Sequence, residues 1–393
     1  MSEGRLGEVA TTFLELGCIS FGGPIAHLGY FRAEVVERRA WIDDARYADL
    51  VALCQFLPGP ASSQVVFALG MHRAGLLGAI VASLCFTLPS AILMIGFAYG
   101  VATLGDLRGA GWLHGLKLAA VAVVAQAVWG MGRKLCPDRA RVSICIAAAS
   151  VLLAISGAIA QIGVIAGGAL VGWWLYRREV DVVALPAEPR RHHLTAAIAL
   201  AVFFALLAIL PALAATTESR AVAEFDGFYR SGSLVFGGGH VVLPLLRAEV
   251  VPSGWLTNDQ FLAGYGAAQA LPGPMFAFSA YLGAAMDSGW PAWVNGLWCL
   301  LAIFLPGWLL ISGALPFWHR VRAKRWAQAA LAGANAAVVG VLLAALYSPV
   351  MAEAIRETPD VVAALVAFGL LEHWKAPPWL VVIVMAAAGQ WLL

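Results

Sequence analysis

Two identical tetrapeptides have the residue types that let a polypeptide backbone bind an anion. Leu57-Pro58-Gly59-Pro60 and Leu271-Pro272-Gly273-Pro274 each lie in an uncharged apolar run. A proline inside a helix removes a hydrogen bond and costs about 3 kcal/mol. Such breaks are tolerated in membrane proteins where the freed groups line a cavity or meet a ligand. The start of the next half-helix presents unpaired N–H groups and partial positive charge, which suits an anion.

Two glycine-rich motifs are further candidate breaks, Phe21-Gly22-Gly23-Pro24 and Phe236-Gly237-Gly238-Gly239. Glycine lets the backbone approach a ligand closely. The polar side chains near the four motifs are mostly hydrogen-bonding groups without negative charge, which suits an oxyanion better than a metal cation. An alternative is that the serines and glutamines only cross-link helices. These side chains are Gln55, Ser62, Ser63, Gln64, Gln269 and Ser279, with His27 and His240 beside the glycine motifs.

Three charged residues are candidates for a part in transport. Arg32 and Arg247 each follow a glycine motif, and we expect them to pair with an anion or to line its entrance. The alternative is an interfacial arginine that reaches toward water. Glu15 lies in the first apolar segment and is a candidate for proton coupling, because intramembrane carboxylates are commonly functional. It could equally pair with an arginine.

The composition is that of a polytopic α-helical membrane protein. Of 393 residues, 61% are hydrophobic and 12% charged, whereas a soluble domain has about 25% charged residues. The net charge of +2 is too small to indicate a surface that binds nucleic acid. We find no catalytic motif, no metal-ligand spacing and no nucleotide-binding motif, so we expect neither an enzyme nor a cofactor. The six cysteines form no CxxC pair, and the N-terminal sequence lacks a cleavable signal pattern.

The chain contains an internal duplication. The glycine motif, an Arg-Ala-Glu-Val-Val segment, a tryptophan and the Pro-Gly-Pro motif recur in the same order 214 or 215 residues later. We therefore predict an all-α fold of two inverted repeats with about six transmembrane segments each, broken at Pro-Gly-Pro and joined by one linker span. The predicted domains are 1–180, a basic linker with one span at 181–220, and 221–393. The predicted spans are 6–30, 47–70, 75–101, 112–131, two within 142–176 divided at 161–163, 194–214, 225–246, 258–283, 291–315, 326–347, 360–371 and 378–393.

Positive charge predicts the orientation of these spans. Lys and Arg concentrate in the segments 133–141, 177–191 and 319–325, and such loops are typical of the cytoplasmic face. With thirteen spans all three segments lie inside, the N-terminus is cytoplasmic and the C-terminus is outside. The scheme depends on 142–176 forming two spans.

The motifs resemble those of the chromate ion transporter family. The resemblance rests on Phe21-Gly22-Gly23-Pro24, on the stretches 27–32 and 53–64, and on the second-half motifs at 236–240 and 270–274. It covers nearly the whole chain and is closest to the two-domain members. It implies export of chromate across the cell membrane, chromate resistance, sulfate as a structural analogue and coupling to the proton-motive force.

The two halves differ at the candidate site, because Met275-Phe276 stands where the first half has Ala61-Ser62. The first half therefore has more groups able to hold oxygens. Transport of sulfate or another oxyanion is the alternative function, and an intramembrane enzyme or a structural subunit is the alternative from another class. The expected partners are the oxyanion and the lipid bilayer. The sequence does not determine whether the protein forms a homo-oligomer.

Overall fold

The computed structural model describes residues 2–21, 23–103, 111–155, 158–176, 193–235, 242–318 and 324–391, and the described part is helical without strands. The first-half helices are α1 (Ser2–Ile19), α2 (Gly23–Arg32, continued by a π-helical turn Ala33–Arg38), α3 (Asp44–Phe56), α4 (Ala61–Thr103), α5 (Gly111–Leu135), α6 (Arg139–Ala154) and α7 (Ala158–Tyr176). They are followed by α8 (His193–Thr216), α9 (Arg220–Ser233), α10 (Val242–Val250), α11 (Asn258–Gln269), α12 (Phe278–Ala285), α13 (Ala292–Ala314), α14 (Arg325–Ala345), α15 (Thr358–Glu372) and α16 (Pro378–Trp391).

Five segments in the described part are long and apolar enough to cross a membrane. They contain α4, α5, α8, α13 and α14. Many of their large apolar side chains are exposed, among them Leu194 and Phe204 on α8, as expected for contact with lipid. Residues 142–176 contain α6 and α7, as predicted, but the boundary falls between Ala154 and Ala158, ahead of the predicted position.

α1 and α2 form a helical hairpin. Trp41 donates its indole N–H to Glu8 at 3.0 Å, so the chain beyond α2 returns to the start of α1. A chain that continued in one direction would place these residues about 50 Å apart at the helical rise of about 1.5 Å per residue.

α3 and the first part of α4 form a second hairpin beside the first. Residues 74 and 75 kink α4, and we call the parts before and after the kink α4a (61–73) and α4b (76–103). At the end of α4a, Arg73 pairs with Glu8 at 2.6 Å and His72 bonds to the carbonyl of Trp41 at 3.1 Å. The open ends of both hairpins therefore lie together.

The second half repeats this arrangement. An ion pair at 2.9 Å joins Arg230, in the last turn of α9, to Glu249 near the end of α10. At the start of α9, the guanidinium of Arg220 lies 5.8 Å from the ring of Trp255, which follows α10. In the next hairpin, formed by α11, the 3-10 turn Met275–Ala277 and α12, Tyr281 donates to the carbonyl of Gln260 at 2.8 Å.

The hairpins correct the prediction that 6–30, 47–70, 225–246 and 258–283 are each one interrupted span. In each of these segments the chain reverses direction between the helix that precedes the motif and the helix that follows it. The sequence pattern located the interruptions but carried no information on the direction of the chain after them.

The two halves exchange helices. α5 of the first half packs against α15 and α16, and α14 of the second half packs against α6 and α7. Two polar contacts fix α5 to second-half helices: Lys117 Nζ lies 2.5 Å from Asp259 Oδ1, and His114 Nε2 lies 2.6 Å from Asp360 Oδ1. The exchanged helix α5 also packs against α11 of the second-half hairpins.

Candidate anion site at the hairpin tips

Two hydrogen bonds join the tips of hairpins from opposite halves. The N–H of Gly59 donates to the carbonyl of Val235 at 2.6 Å, and the N–H of Gly273 donates to the carbonyl of Ser20 at 2.9 Å. Val235 and Ser20 each immediately precede a Phe-Gly-Gly motif. Each Pro-Gly-Pro tip therefore meets the chain beside the glycine motif of the other half.

The glycines of the two Pro-Gly-Pro tips are required by backbone conformation. Gly59 has φ +120° and Gly273 has φ +88°, in a region that side chains other than glycine rarely adopt. Space is also limited, since a Cβ at Gly59 would lie 2.7 Å from Nε2 of Gln64. A Cβ at Gly273 would lie 2.9 Å from Oγ of Ser90.

The first tip leads into a buried polar turn at the start of α4a. Ser62, Ser63 and Gln64 are all buried. Gln64 stabilises the tip, because its Nε2 donates to the carbonyl of Pro58 at 2.8 Å and its backbone N–H donates to the carbonyl of Pro60 at 2.9 Å. Ser63 Oγ and Gln64 Oε1 are buried without a hydrogen-bond partner among the described residues. An unpaired buried polar group costs about 1–3 kcal/mol, so this turn is suited to receive a polar ligand.

The second tip is less polar. Pro274 is followed by Met275 and Phe276, both buried. Ser279 Oγ donates to the carbonyl of Phe276 at 2.7 Å, and Gln269 Nε2 contacts Met275 Sδ at 3.8 Å. Both side-chain contacts stay within this tip, and the two tips therefore differ chemically despite their common backbone.

His27 lies under the second tip although it belongs to the first half. Its Nε2 donates to the carbonyl of Ser20 at 3.1 Å, and the same carbonyl accepts the N–H of Gly273. The imidazole is buried and meets the ring of Phe86 edge-on at 5.6 Å. His27 therefore shares an acceptor with the second tip, whereas Gly23 is the first residue of α2 and a Cβ there would meet nothing within 4 Å.

Arg32 lies away from the tips, at the end of α2. Its guanidinium is exposed and pairs with Asp44 at 2.6 Å and with Glu37 at 2.5 Å. The hydrogen bond from Arg32 lowers the pKa of the Asp44 carboxyl. In this conformation, two carboxylates of the first half engage the guanidinium.

Arg247 lies at the corresponding place on α10. Its Nε donates to Asn258 at 2.9 Å, and it lines a cavity of about 540 Å³ together with Gln161 and Ser348. Contact of Arg247 with an anion, or with the entrance to its site, stays a prediction.

Two other predicted residues face outward. Glu15 on α1 and Gln55 on α3 are exposed. Glu15 stands beside Leu14, which is also exposed, and near the exposed Ile19. A role of Glu15 in proton coupling stays a prediction. Gly22, Gly237, Gly238, Gly239 and His240 lie outside the described residues.

Sequence reasoning missed three residues at the tips. Ser20 and Val235 accept the reciprocal hydrogen bonds through their carbonyls, and Trp308 on α13 lies beside Gly307, which borders Pro60 and Gln64. The positions of Ser20 and Val235, each directly before a repeated motif, could have drawn attention to them. Trp308 has no counterpart in the first half, where Ala91 follows the Pro89-Ser90 pair that matches Pro306-Gly307.

Comparison with known protein families identifies the family of this chain. The family model described as chromate transporter matches residues 7–173 and 222–390, which is most of the chain and covers both halves. The chain belongs to the chromate transporter family. The two matched regions agree with the internal duplication, and membership agrees with a multi-pass helical membrane protein.

Relatives that resemble this transporter match it over nearly its full length. The chromate transport protein of Pseudomonas aeruginosa is 29% identical over 98% of this chain and 92% of the relative. The probable chromate transport protein of Synechococcus elongatus is 27% identical over 98% of this chain and 95% of the relative. The chromate transport protein of Cupriavidus metallidurans is 26% identical over 94% and 88%, respectively. No solved structure matches the chain.

Proposed function

We propose that this protein is a secondary transporter that exports chromate across the cell membrane and thereby confers chromate resistance. The anion binds between the hairpin tips, at the start of α4a. The observation that supports this most strongly is the pair of reciprocal hydrogen bonds, Gly59 to Val235 and Gly273 to Ser20, which brings breaks of both halves together. Family membership supports chromate as the substrate.

The binding chemistry follows from the first tip. The start of α4a offers N–H groups and the positive end of a helix dipole, and Ser63 adds a buried hydroxyl without a partner among the described residues. None of Ser62, Ser63 and Gln64 carries a negative charge. Hydrogen bonds to charged groups are worth about 1.5–3 kcal/mol each, so a few donors suffice for binding of a dianion.

The transport cycle would use the hairpins as gates. We assign α1 to α4a to the cytoplasmic side and α9 to α12 to the outer side, in two inverted repeats within 1–180 and 221–393 that are joined through 181–220. The tips would then meet near the middle of the membrane, where transporter sites commonly lie. Breaking one reciprocal hydrogen bond opens the site toward one face, and the other bond keeps the opposite gate closed. The N-terminus is then cytoplasmic and the C-terminus outside.

Sulfate or another tetrahedral oxyanion is the second candidate substrate. Ser63 and the N–H groups of α4a would bind the oxygens of the anion and make no contact with its central chromium or sulfur atom. The site therefore accepts both chromate and sulfate. The chemistry is that of binding and release, without a covalent step.

Flux in proteoliposomes tests the proposal. The purified protein is reconstituted, and uptake of chromate and of radiolabelled sulfate is measured while the pH gradient and the sulfate gradient are varied separately. We expect saturable chromate uptake that excess sulfate inhibits. Dependence on the pH gradient would support proton coupling, whereas absence of flux for both anions under every gradient would refute the proposed function.

A matched pair of variants locates the site. Ser63→Ala removes the unpaired hydroxyl and is expected to raise KM for the anion about tenfold, the equivalent of about 1.4 kcal/mol. Ser279→Ala is the control, because that hydroxyl bonds within the second tip. Equal KM values for the two variants would argue against anion binding at the first tip.

A further inference from the structure

Trp308 has a buried hydrogen-bond donor that nothing in the described part of the chain uses. Its indole Nε1 is buried and has no hydrogen-bond partner there. Buried indole N–H groups usually find an acceptor, because leaving one unpaired costs free energy. Ser63 Oγ and Gln64 Oε1 on α4a are also buried without a hydrogen-bond partner among the described residues.

The indole ring lies between the segments that follow the two Pro-Gly-Pro tips. It stacks on Phe67 of α4a with ring centroids 6.0 Å apart. It also stacks on Phe304 at 6.2 Å, and the ring of Phe304 lies 6.0 Å from that of Phe276 of the second tip. A row of four rings therefore connects the two segments, and Trp308 is the member of that row with a polar group.

The neighbouring residue brings the indole close to the first tip. Gly307 approaches so closely that a Cβ there would lie 3.3 Å from Pro60 Cδ and 3.5 Å from Gln64 Cγ. Ser63 is one turn before Phe67 on the same helix, so its hydroxyl faces the same side as the ring that stacks on the indole. The unpaired serine and the unpaired indole thus border one region between α4a and α13.

We propose that Trp308 donates its indole N–H to the bound tetrahedral oxyanion, opposite Ser63 and the start of α4a. The inference rests on the proposed function and adds a specific donor from the second half to a site otherwise built by the first. An indole N–H only donates, so it favours a fully deprotonated oxygen over a hydroxyl that must itself donate.

The test compares two tryptophan variants of α13 in the purified full-length protein. Trp308→Phe keeps an aromatic ring and removes the donor, and Trp293→Phe is the control because Trp293 is exposed on the same helix. Equilibrium binding of radiolabelled sulfate and of chromate is measured for each, together with the thermal midpoint. We expect Trp308→Phe to weaken the binding of both anions about tenfold or more, since hydrogen bonds to charged groups contribute about 1.5–3 kcal/mol. Trp293→Phe should bind like the wild type.

Unchanged affinity in a folded Trp308→Phe protein, or equal losses in both variants, would overturn the inference while leaving the proposed function intact. Absence of binding and flux in the wild type would instead refute the proposed function. A second measurement needs no variant to fold. In wild-type protein with ¹⁵N-labelled indoles, saturating sulfate should shift one buried indole N–H resonance, and a spectrum in which none shifts would overturn the inference.

Discussion

Gly59 and Gly273 serve the same purpose in the two halves, because each donates its N–H to a carbonyl of the other half from a backbone conformation with positive φ. A side chain at either position would disturb the tip in two ways, through backbone strain and through contact with a neighbour. The contact at the first tip is Gln64, which itself holds the carbonyl of Pro58.

Gly59→Ala should therefore impair both stability and transport. The strained backbone costs about 1–3 kcal/mol, and the methyl group displaces the Gln64 amide. We expect a lower thermal midpoint in detergent and loss of most anion flux in proteoliposomes. Gly29→Ala is the control, because a Cβ at Gly29 meets nothing within 4 Å. Wild-type flux in Gly59→Ala would contradict the importance assigned to this tip.

At the scale of residues, the sequence predicted the tips better than the charged groups. The repeated Pro-Gly-Pro and glycine motifs mark real ends of helices, because proline and glycine act on the local backbone. Arg32 was a candidate for pairing with the anion, yet it pairs with Asp44 and Glu37. Tertiary packing determines which acidic side chain pairs with an arginine. The spacing between the two repeats gives no information about that packing.

At the scale of elements, the helical hairpins are the main feature that the sequence did not predict. An apolar segment with a break in its middle has the same composition whether the chain crosses the membrane or returns. The contacts of Glu8 with Trp41 and Arg73 decide this for the first half. In contrast, the boundaries of α5, α8, α13 and α14 lie close to the spans expected from hydropathy.

Site-directed labelling tests the hairpin topology. Single cysteines replace Arg38, Lys134, Ser253 and Asp287, all exposed, in a background without the native cysteines. Because each hairpin returns to its own side, we expect Arg38→Cys and Lys134→Cys to react from the cytoplasmic face. Ser253→Cys and Asp287→Cys should react from the outer face.

The labelling experiment contains its own control. Interrupted spans that cross the membrane would leave Lys134→Cys inside and Asp287→Cys outside but would exchange the sides of the other two. External labelling of Arg38→Cys, or internal labelling of Ser253→Cys, would therefore contradict the hairpins alone.

At the scale of the whole molecule, the exchange of α5 and α14 makes the halves depend on each other. α5 carries a buried lysine, Lys117, whose partner Asp259 belongs to the second half. Glycines such as Gly333 allow α14 to approach α7 closely. Hydropathy alone cannot predict such an exchange, because it locates helices without stating their neighbours.

Division of the chain within 177–192 should test this dependence. We expect each half expressed alone to be degraded or aggregated, because α5 and α14 would each lack their packing surfaces. Co-expression of the two halves should restore a complex that can be purified and that transports the anion. Recovery of one stable, monodisperse half on its own would argue against mutual dependence.

We propose that hairpin tips from both halves form one oxyanion site in which the first tip holds the anion. The most direct measurement is the stoichiometry of radiolabelled chromate or sulfate bound to purified protein at equilibrium, for the wild type and for Ser63→Ala. We expect one anion per chain, bound more weakly by the variant. Two equivalent anions per chain, or an affinity that is unchanged in Ser63→Ala, would contradict it.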